Sequence, residues 1–316
     1  MKTLFIAALG AAALISSCND DDQNPTNMPD DDKTNPPMVN GLNYVKSSTN
    51  FNITYTALVA ALNSNDNIKV VKEINHQQNA QNNDLTLNPT RLVIFGNPKL
   101  GTPLMLKNQL AGLDLPQKML IYQNNLNEVF LAYNNTTYLG SRHGLADAET
   151  LPTIATALKT FSENISGVEI KEAATTIAKD EGIITKTSEK NFEDTYKALK
   201  DAIESNENLT IIAEVNHQEN AQKVDAELRP TQLIVFGNPK LGTPLMQNSQ
   251  TTAIDLPQKM LVWEDADGNV KVSYNDPAYL KKRHSLTGVD TQIETITGAL
   301  NMLSDKAIAA AAPVLK

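Results

Sequence analysis

The sequence predicts an α+β chain in which one domain is written twice, each copy a mainly antiparallel sheet with helices packed on one face. Three observations carry that expectation. The run FGNPKLGTPLM stands at residues 95–105 and again at 236–246. Landmarks outside it keep the same spacing: His76 and His217 lie 141 residues apart (217 − 76), as do Pro116 and Pro257, and His143 and His284. Within each copy, strand-like and helix-like runs do not alternate strictly, as a doubly wound fold would require.

The second copy shows the elements most clearly. Ile183 to Thr187 is a short β-branched strand, and Asn191 then opens a helix whose apolar residues Tyr196, Leu199, Ala202 and Ile203 fall at helical spacing. Leu209 to Val215 and Thr231 to Phe236 read as strands. Lys259 to Asp265 and Asn269 to Tyr274 flank Ala266-Asp267-Gly268, a hairpin signal because Asp-Gly accepts positive φ. Pro277 starts a helix reaching His284, and Thr291 to Leu303 forms a longer amphipathic one. In the first copy Leu126-Asn127 replaces Asp267-Gly268, which predicts a weaker turn. The copies are placed at 41–165 and 182–310 with a linker at 166–181; about 120 residues suffice for a core of their own.

Residues 1–18 read as an export signal: a basic start, an apolar Leu4 to Leu14 too short to span a bilayer, then small residues before Cys18. Ile15-Ser16-Ser17-Cys18 resembles the lipobox of bacterial lipoproteins, which implies lipidation of Cys18 and anchoring to a membrane. Cys18 is the single cysteine, so no disulfide and no cysteine metal ligand is expected beyond it. Residues 19–40 are acidic, rich in proline and asparagine and nearly free of apolar side chains, and predict a disordered tether. Asn19-Asp20-Asp21-Asp22 resembles the tag that sends some lipoproteins to the outer cell surface, and as charge alone it is a solvated spacer. The implied location is the cell envelope, on the outer membrane. The formal net charge is −9, so no basic footprint for nucleic acid is present.

In the repeated run, Leu92 to Phe95 should be a buried strand that Gly96-Asn97-Pro98 ends. Thr102-Pro103 then reads as an N-cap and first-turn proline, with Thr243-Pro244 as its twin. Lys99 and Lys240 just ahead of such a helix start could help hold a small anion; alternatively the run only shapes a difficult turn. The glycine and lysine order is not that of a P-loop.

FGNPKLGTPLM, DLPQKMLVWED (255–265) and VSYNDPAYLKKRH (272–284), with their counterparts in the first copy, resemble the domain of unknown function 302 family. The resemblance covers nearly all of both copies. It implies a TATA-binding-protein-like α+β fold, tandem or single occurrence and no established activity; pairing of single-domain members would make this chain a linked pseudo-dimer with intramolecular domain pairing.

The four histidines form two equivalent pairs, His76 with His217 and His143 with His284. Tyr138 and Arg142 lie one helical turn apart, next to His143. Packed, hydrogen-bonded residues are one reading. A second is a binding protein that takes a small anionic ligand near Lys240, Arg283, His217 and His284, with Lys99, Lys118, Arg142, His76 and His143 as candidates in the first copy. A third is a metal- or histidine-dependent enzyme with its site in the second copy, two imidazoles joining Asp114 or Asp255 on zinc. A fourth is a structural interaction module. No motif of a known hydrolase, protease or dinucleotide enzyme is present, and no cofactor is expected. Asp114 is expected to cap a turn and pair with Lys118, as Asp255 with Lys259.

Overall fold

The structure, a computed structural model, describes residues 38–310. The expected export signal, Cys18 and the tether up to residue 37 lie outside the described residues. The first copy runs β1 (Leu42–Lys46), α1 (Phe51–Asn63), β2 (Lys69–Asn75), α2 (His76–Gln81), β3 (Thr90–Gly96), α3 (Pro98–Lys107), β4 (Gln117–Gln123), β5 (Val129–Asn134), α4 (Thr136–His143) and α5 (Leu151–Ser166). The second repeats that order as β6 (Ile183–Thr187), α6 (Phe192–Glu204), β7 (Thr210–Asn216), α7 (His217–Gln222), β8 (Thr231–Gly237), α8 (Pro239–Asn248), β9 (Gln258–Glu264), β10 (Val270–Asn275), α9 (Pro277–Arg283) and α10 (Asp290–Ile308). A short 3-10 turn follows α3 at Gln109–Leu113 and α8 at Gln250–Ile254.

Each copy is an α+β unit with a five-stranded, wholly antiparallel sheet, in the orders β1-β5-β4-β3-β2 and β6-β10-β9-β8-β7. The central strands are buried on both faces, which is why they read as apolar runs rather than as clean alternation. Val93, Phe95, Met119, Ile121 and Leu131 face Leu58 and Leu62 of α1 and Ile154 and Leu158 of α5. The opposite face, with Leu92, Ile94, Leu120 and Phe130, joins Ala253 and Ile254 of the second copy in one cluster. Reciprocally, Leu113 of the first copy packs on Val215, Leu233, Val235 and Leu261 of the second. The 3-10 turn of each copy thus covers the helix-free face of the other's sheet.

Residues after α5, expected as a linker, run along the first sheet's edge. The Gly41 N–H donates to the Ala174 carbonyl (3.1 Å), the Ala173 N–H donates to Asn43 Oδ1 (2.9 Å), and Lys171 bridges to Tyr44. This pairing occupies backbone groups that edge strand β1 would otherwise leave open.

Two local readings are corrected. The helix after β3 starts at Pro98, not at Pro103: the Asn97 side chain accepts from the Lys99 N–H and Pro98 takes the first helical position. Asn238 and Pro239 do the same for α8. Thr102 and Thr243 therefore sit inside their helices, fully buried, and cap nothing. The six-residue helices α2 and α7, which begin at the histidines, had no signal of their own, being too short for an apolar period. The first hairpin forms with Asn127 at φ 61°, in the role that Gly268 has at φ 81°.

Candidate functional site

Two constellations of polar residues lie where the copies meet. The first is built on Asp114 and Asp255, which follow the 3-10 turns. Asp114 Oδ2 accepts from Arg142 Nη1 and lies on His143 Nε2, both at 2.8 Å. Asp255 Oδ2 repeats this with Arg283 Nη1 (2.7 Å) and His284 Nε2 (2.8 Å). Each arginine also reaches across the interface: Arg142 Nη2 donates to Asn275 Oδ1 (2.9 Å), and Arg283 Nη2 donates to Asn134 Oδ1 (2.7 Å). Arg142 lies over the Tyr138 ring at 5.6 Å and the Tyr279 ring at 4.9 Å. Burial pushes both carboxyls up, but the arginine and histidine beside each reverse this and hold them well below the usual carboxylate range. The expected pairing of Asp114 with Lys118 is thereby corrected. The aspartate answers Arg142, and the lysine within 4.0 Å of Asp114 is Lys259 of the other copy.

Thr251 Oγ1 lies 2.9 Å from His284 Nδ1, so Thr251, His284 and Asp255 line up as a hydroxyl, an imidazole and a carboxylate. In the first copy Leu110 replaces that threonine and His143 Nδ1 has no partner among the described residues. A nucleophile must meet its substrate. Both histidine side chains are fully buried, and neither lines the two large cavities described next.

The second constellation is a pair of cavities. One of about 290 Å³ opens between the repeated run of the first copy and α5, lined by Phe95, Leu100, Thr102, Met105 and Leu158, and His217 of the second copy also lines it. Its counterpart of about 200 Å³ uses Phe236, Leu241, Thr243, Met246 and Leu300, with His76 of the first copy on its wall. Each pocket therefore combines the FGNPKLGTPLM run of one copy with the histidine that opens a short helix of the other. Burial lowers His76 and His217 to about 4, so both imidazoles are neutral near pH 7.

The pockets also differ in how the histidine on each wall is partnered. His217 Nε2 donates to the Gly112 carbonyl (3.2 Å), and a Cβ on Gly112 would stand 3.3 Å from His217 Cδ2. The second copy has Ala253 at that position, and His76 Nε2 is left without a partner, as are Thr243 Oγ1 and Gln258 Nε2. These three buried polar groups line the same cavity. Thr102 Oγ1 is likewise unpartnered in the first pocket.

The residues read from the sequence as one anionic site are dispersed. Lys99 and Lys240 are exposed and absent from both cavity walls. His217 lies against the first copy's helix α3, while Arg283 and His284 are spent on Asp255. His76 and His143 belong to different constellations. Among the described residues, no group of three or more His, Cys, Asp and Glu comes together to hold a metal ion.

The fold and both sites being defined, the family comparison is direct. The profile of the domain of unknown function DUF302 matches residues 43–161 and 184–303. The chain belongs to the DUF302 family. Among curated proteins it is similar to a fluoride-specific ion channel, FluC 1, of Brucella suis biovar 1 (strain 1330), at 39% identity over 107 residues, 34% of this chain and 42% of that one. The FluC 1 of Brucella abortus biovar 1 (strain 9-941) matches at 39% identity over 107 residues, covering 34% and 39% of the two chains. The chain thus spans about two fifths of the length of these relatives. A solved DUF302 protein from Bacillus stearothermophilus is similar over 40% of this chain and 98% of its own, at 16% identity and a TM-score of 0.37. In this DUF302 chain no helix among the described residues is long and apolar enough to cross a membrane.

Proposed function

We propose that this protein is a non-catalytic binding protein whose two interdomain pockets take a small, largely apolar molecule with one neutral polar end, such as a ketone. The observation that carries the reading is that His76 Nε2, Thr243 Oγ1 and Gln258 Nε2, all buried and unpartnered, belong to residues lining one mainly apolar cavity, with Asn79, Thr210 and Asn238 also on its wall. Buried polar groups without partners are costly, and a ligand acceptor would satisfy them. No residue lining that cavity carries a formal charge, so an anion would lose its hydration without a counter-charge. In that cavity this favours a neutral head over the anionic ligand suggested by the lysines, whereas the first pocket has Lys69 on its wall. At about 200 and 290 Å³ the pockets sit at or below the small end of the usual ligand range of roughly 300–1,000 Å³, which favours a short ligand. Anchoring through Cys18 to the outer membrane belongs to the same proposal and rests on the lipobox-like Ile15-Ser16-Ser17-Cys18. The channel activity in the relatives' name is not carried over, because this chain spans less than half of them.

The test compares methyl hexyl ketone with octanoate, matched in chain length and different in charge, by thermal shift on the full chain. The ketone should raise the melting temperature and octanoate should not. Thr243→Val together with Gln258→Leu should remove the second pocket's share of the response while leaving the unliganded protein folded. Equal stabilisation by octanoate would restore the anionic reading, and no response to either would sink the binding proposal.

A further inference from the structure

The two apolar pockets are joined by the strands that line them. Strand β2 begins on the wall of the first pocket, at Lys69 and Val71, and leads into α2, whose His76 and Asn79 line the second. Strand β7 does the reverse: Thr210 and Ile212 line the second pocket, and His217 and Asn220 of α7 line the first. Both strands are irregular at the matching place. Val70 pairs with Phe95 and Lys72 with Ile94, which leaves Val71 as an extra residue, and Ile211 and Ala213 pair with Phe236 and Val235 around Ile212 in the same way. A bulge residue stands outside the regular ladder, so its position is set by packing more than by pairing. Val71 and Ile212 are half-buried, and both pack on one small cluster made of Leu113, Val215, Leu233, Val235 and Leu261. A contiguous apolar path therefore runs from the first pocket through Val71, that cluster and Ile212 to the second. A cavity of about 10 Å³ beside Val71, Leu113 and Val235 leaves a void within this packing.

We propose that the two pockets are energetically coupled, so that a molecule seated in one raises the affinity of the other for a second molecule. This extends the binding function proposed above and rests on it. A ligand in the first pocket stands against Val71 and holds that bulge in one position. Because Ile212 packs on the same cluster, fixing one bulge restricts the other, and the second ligand meets a wall that is already ordered. The two states are thus bulges free to shift and bulges held, and each ligand favours the second. The first molecule bears the cost of ordering and the next does not, which makes the coupling positive. Linkage requires the same factor in both directions, whichever pocket fills first.

The experiment titrates methyl hexyl ketone into the full chain and follows the imidazoles of His217 and His76 by nitrogen NMR, which reports the first and second pockets separately. The two occupancy curves together give the affinity of each pocket with its neighbour empty and with its neighbour filled. The filled value should be tighter by about fivefold or more. Val235→Ala, in the shared cluster but on neither pocket wall, should bring that ratio towards one, with circular dichroism verifying the fold. Filling of one pocket only, or a wild-type ratio at or below one, overturns the coupling and leaves the binding function standing. A ratio that survives unchanged in folded Val235→Ala overturns it as well. If neither imidazole responds to the ketone, the binding function itself fails and the coupling falls with it.

Discussion

Acid should weaken this protein through two histidines before it touches any carboxylate. His76 and His217 are wholly buried, and burial lowers each from 6.5 to about 4. The sign follows from where protons bind. Between those values the unfolded chain takes up a proton at each imidazole and the folded chain does not, so the stability present above pH 6.5 is lost as pH falls towards 4. At about pH 5 each histidine should cost about 2 kcal/mol relative to its value above neutrality, or about 4 kcal/mol for the pair. His284, lowered by burial against the opposing pull of Asp255, adds to the loss in the same direction. Asp114 and Asp255, held low by their arginines, add theirs only below about 4, where the unfolded carboxyls protonate. The assay is urea unfolding at about pH 7.5 and about pH 5, followed by tryptophan fluorescence. Replacing both residues, His76→Gln with His217→Gln, should remove most of the difference between the two pH values even if both midpoints fall. A double variant that loses as much stability on acidification as the wild type would show that the imidazoles are not the groups responsible.

Two further outcomes probe the interface. Arg142→Met leaves Asp114 buried beside His143 without its guanidinium and strips Asn275 of its donor, so stability measured by denaturant should fall by about 3–5 kcal/mol. Pairing that change with Asp114→Leu should recover much of the loss, because no uncompensated charge then remains. Gly112→Ala would place a Cβ 3.1 Å from Leu261 Cδ1 and 3.3 Å from His217 Cδ2, reproducing what Ala253 does in the other pocket. It should cost about 1 kcal/mol by removing the His217 bond to the Gly112 carbonyl, and nitrogen NMR of the imidazole should report the freed Nε2.

Much of the architecture is a local property and could be read residue by residue. The strand Ile183–Thr187, the helix opened by Asn191 and the hairpin at Asp267-Gly268 are each written in a few adjacent side chains. The register of the duplication needs only counting along the chain. Where two adjacent Asx- or Thr-Pro pairs competed to start one helix, the local rules chose Thr102-Pro103, and Asn97-Pro98 won because the strand ends there and its own unpaired donors come first.

The site was not local in this sense. Sequence made the histidines, lysines and repeated run conspicuous but gave no distances, and it grouped Lys240, His217, Arg283 and His284 within one copy. Only the tertiary structure decided that His217 belongs to the first copy's pocket and His76 to the second's, and that Lys118 meets Lys259. The physical reason is that each helix-free sheet face must be buried, and the nearest apolar surface able to cover it is the 3-10 turn of the other copy. That exchange of cover carries polar residues across the interface, so the duplication determined which residues recur, while packing determined which of them touch.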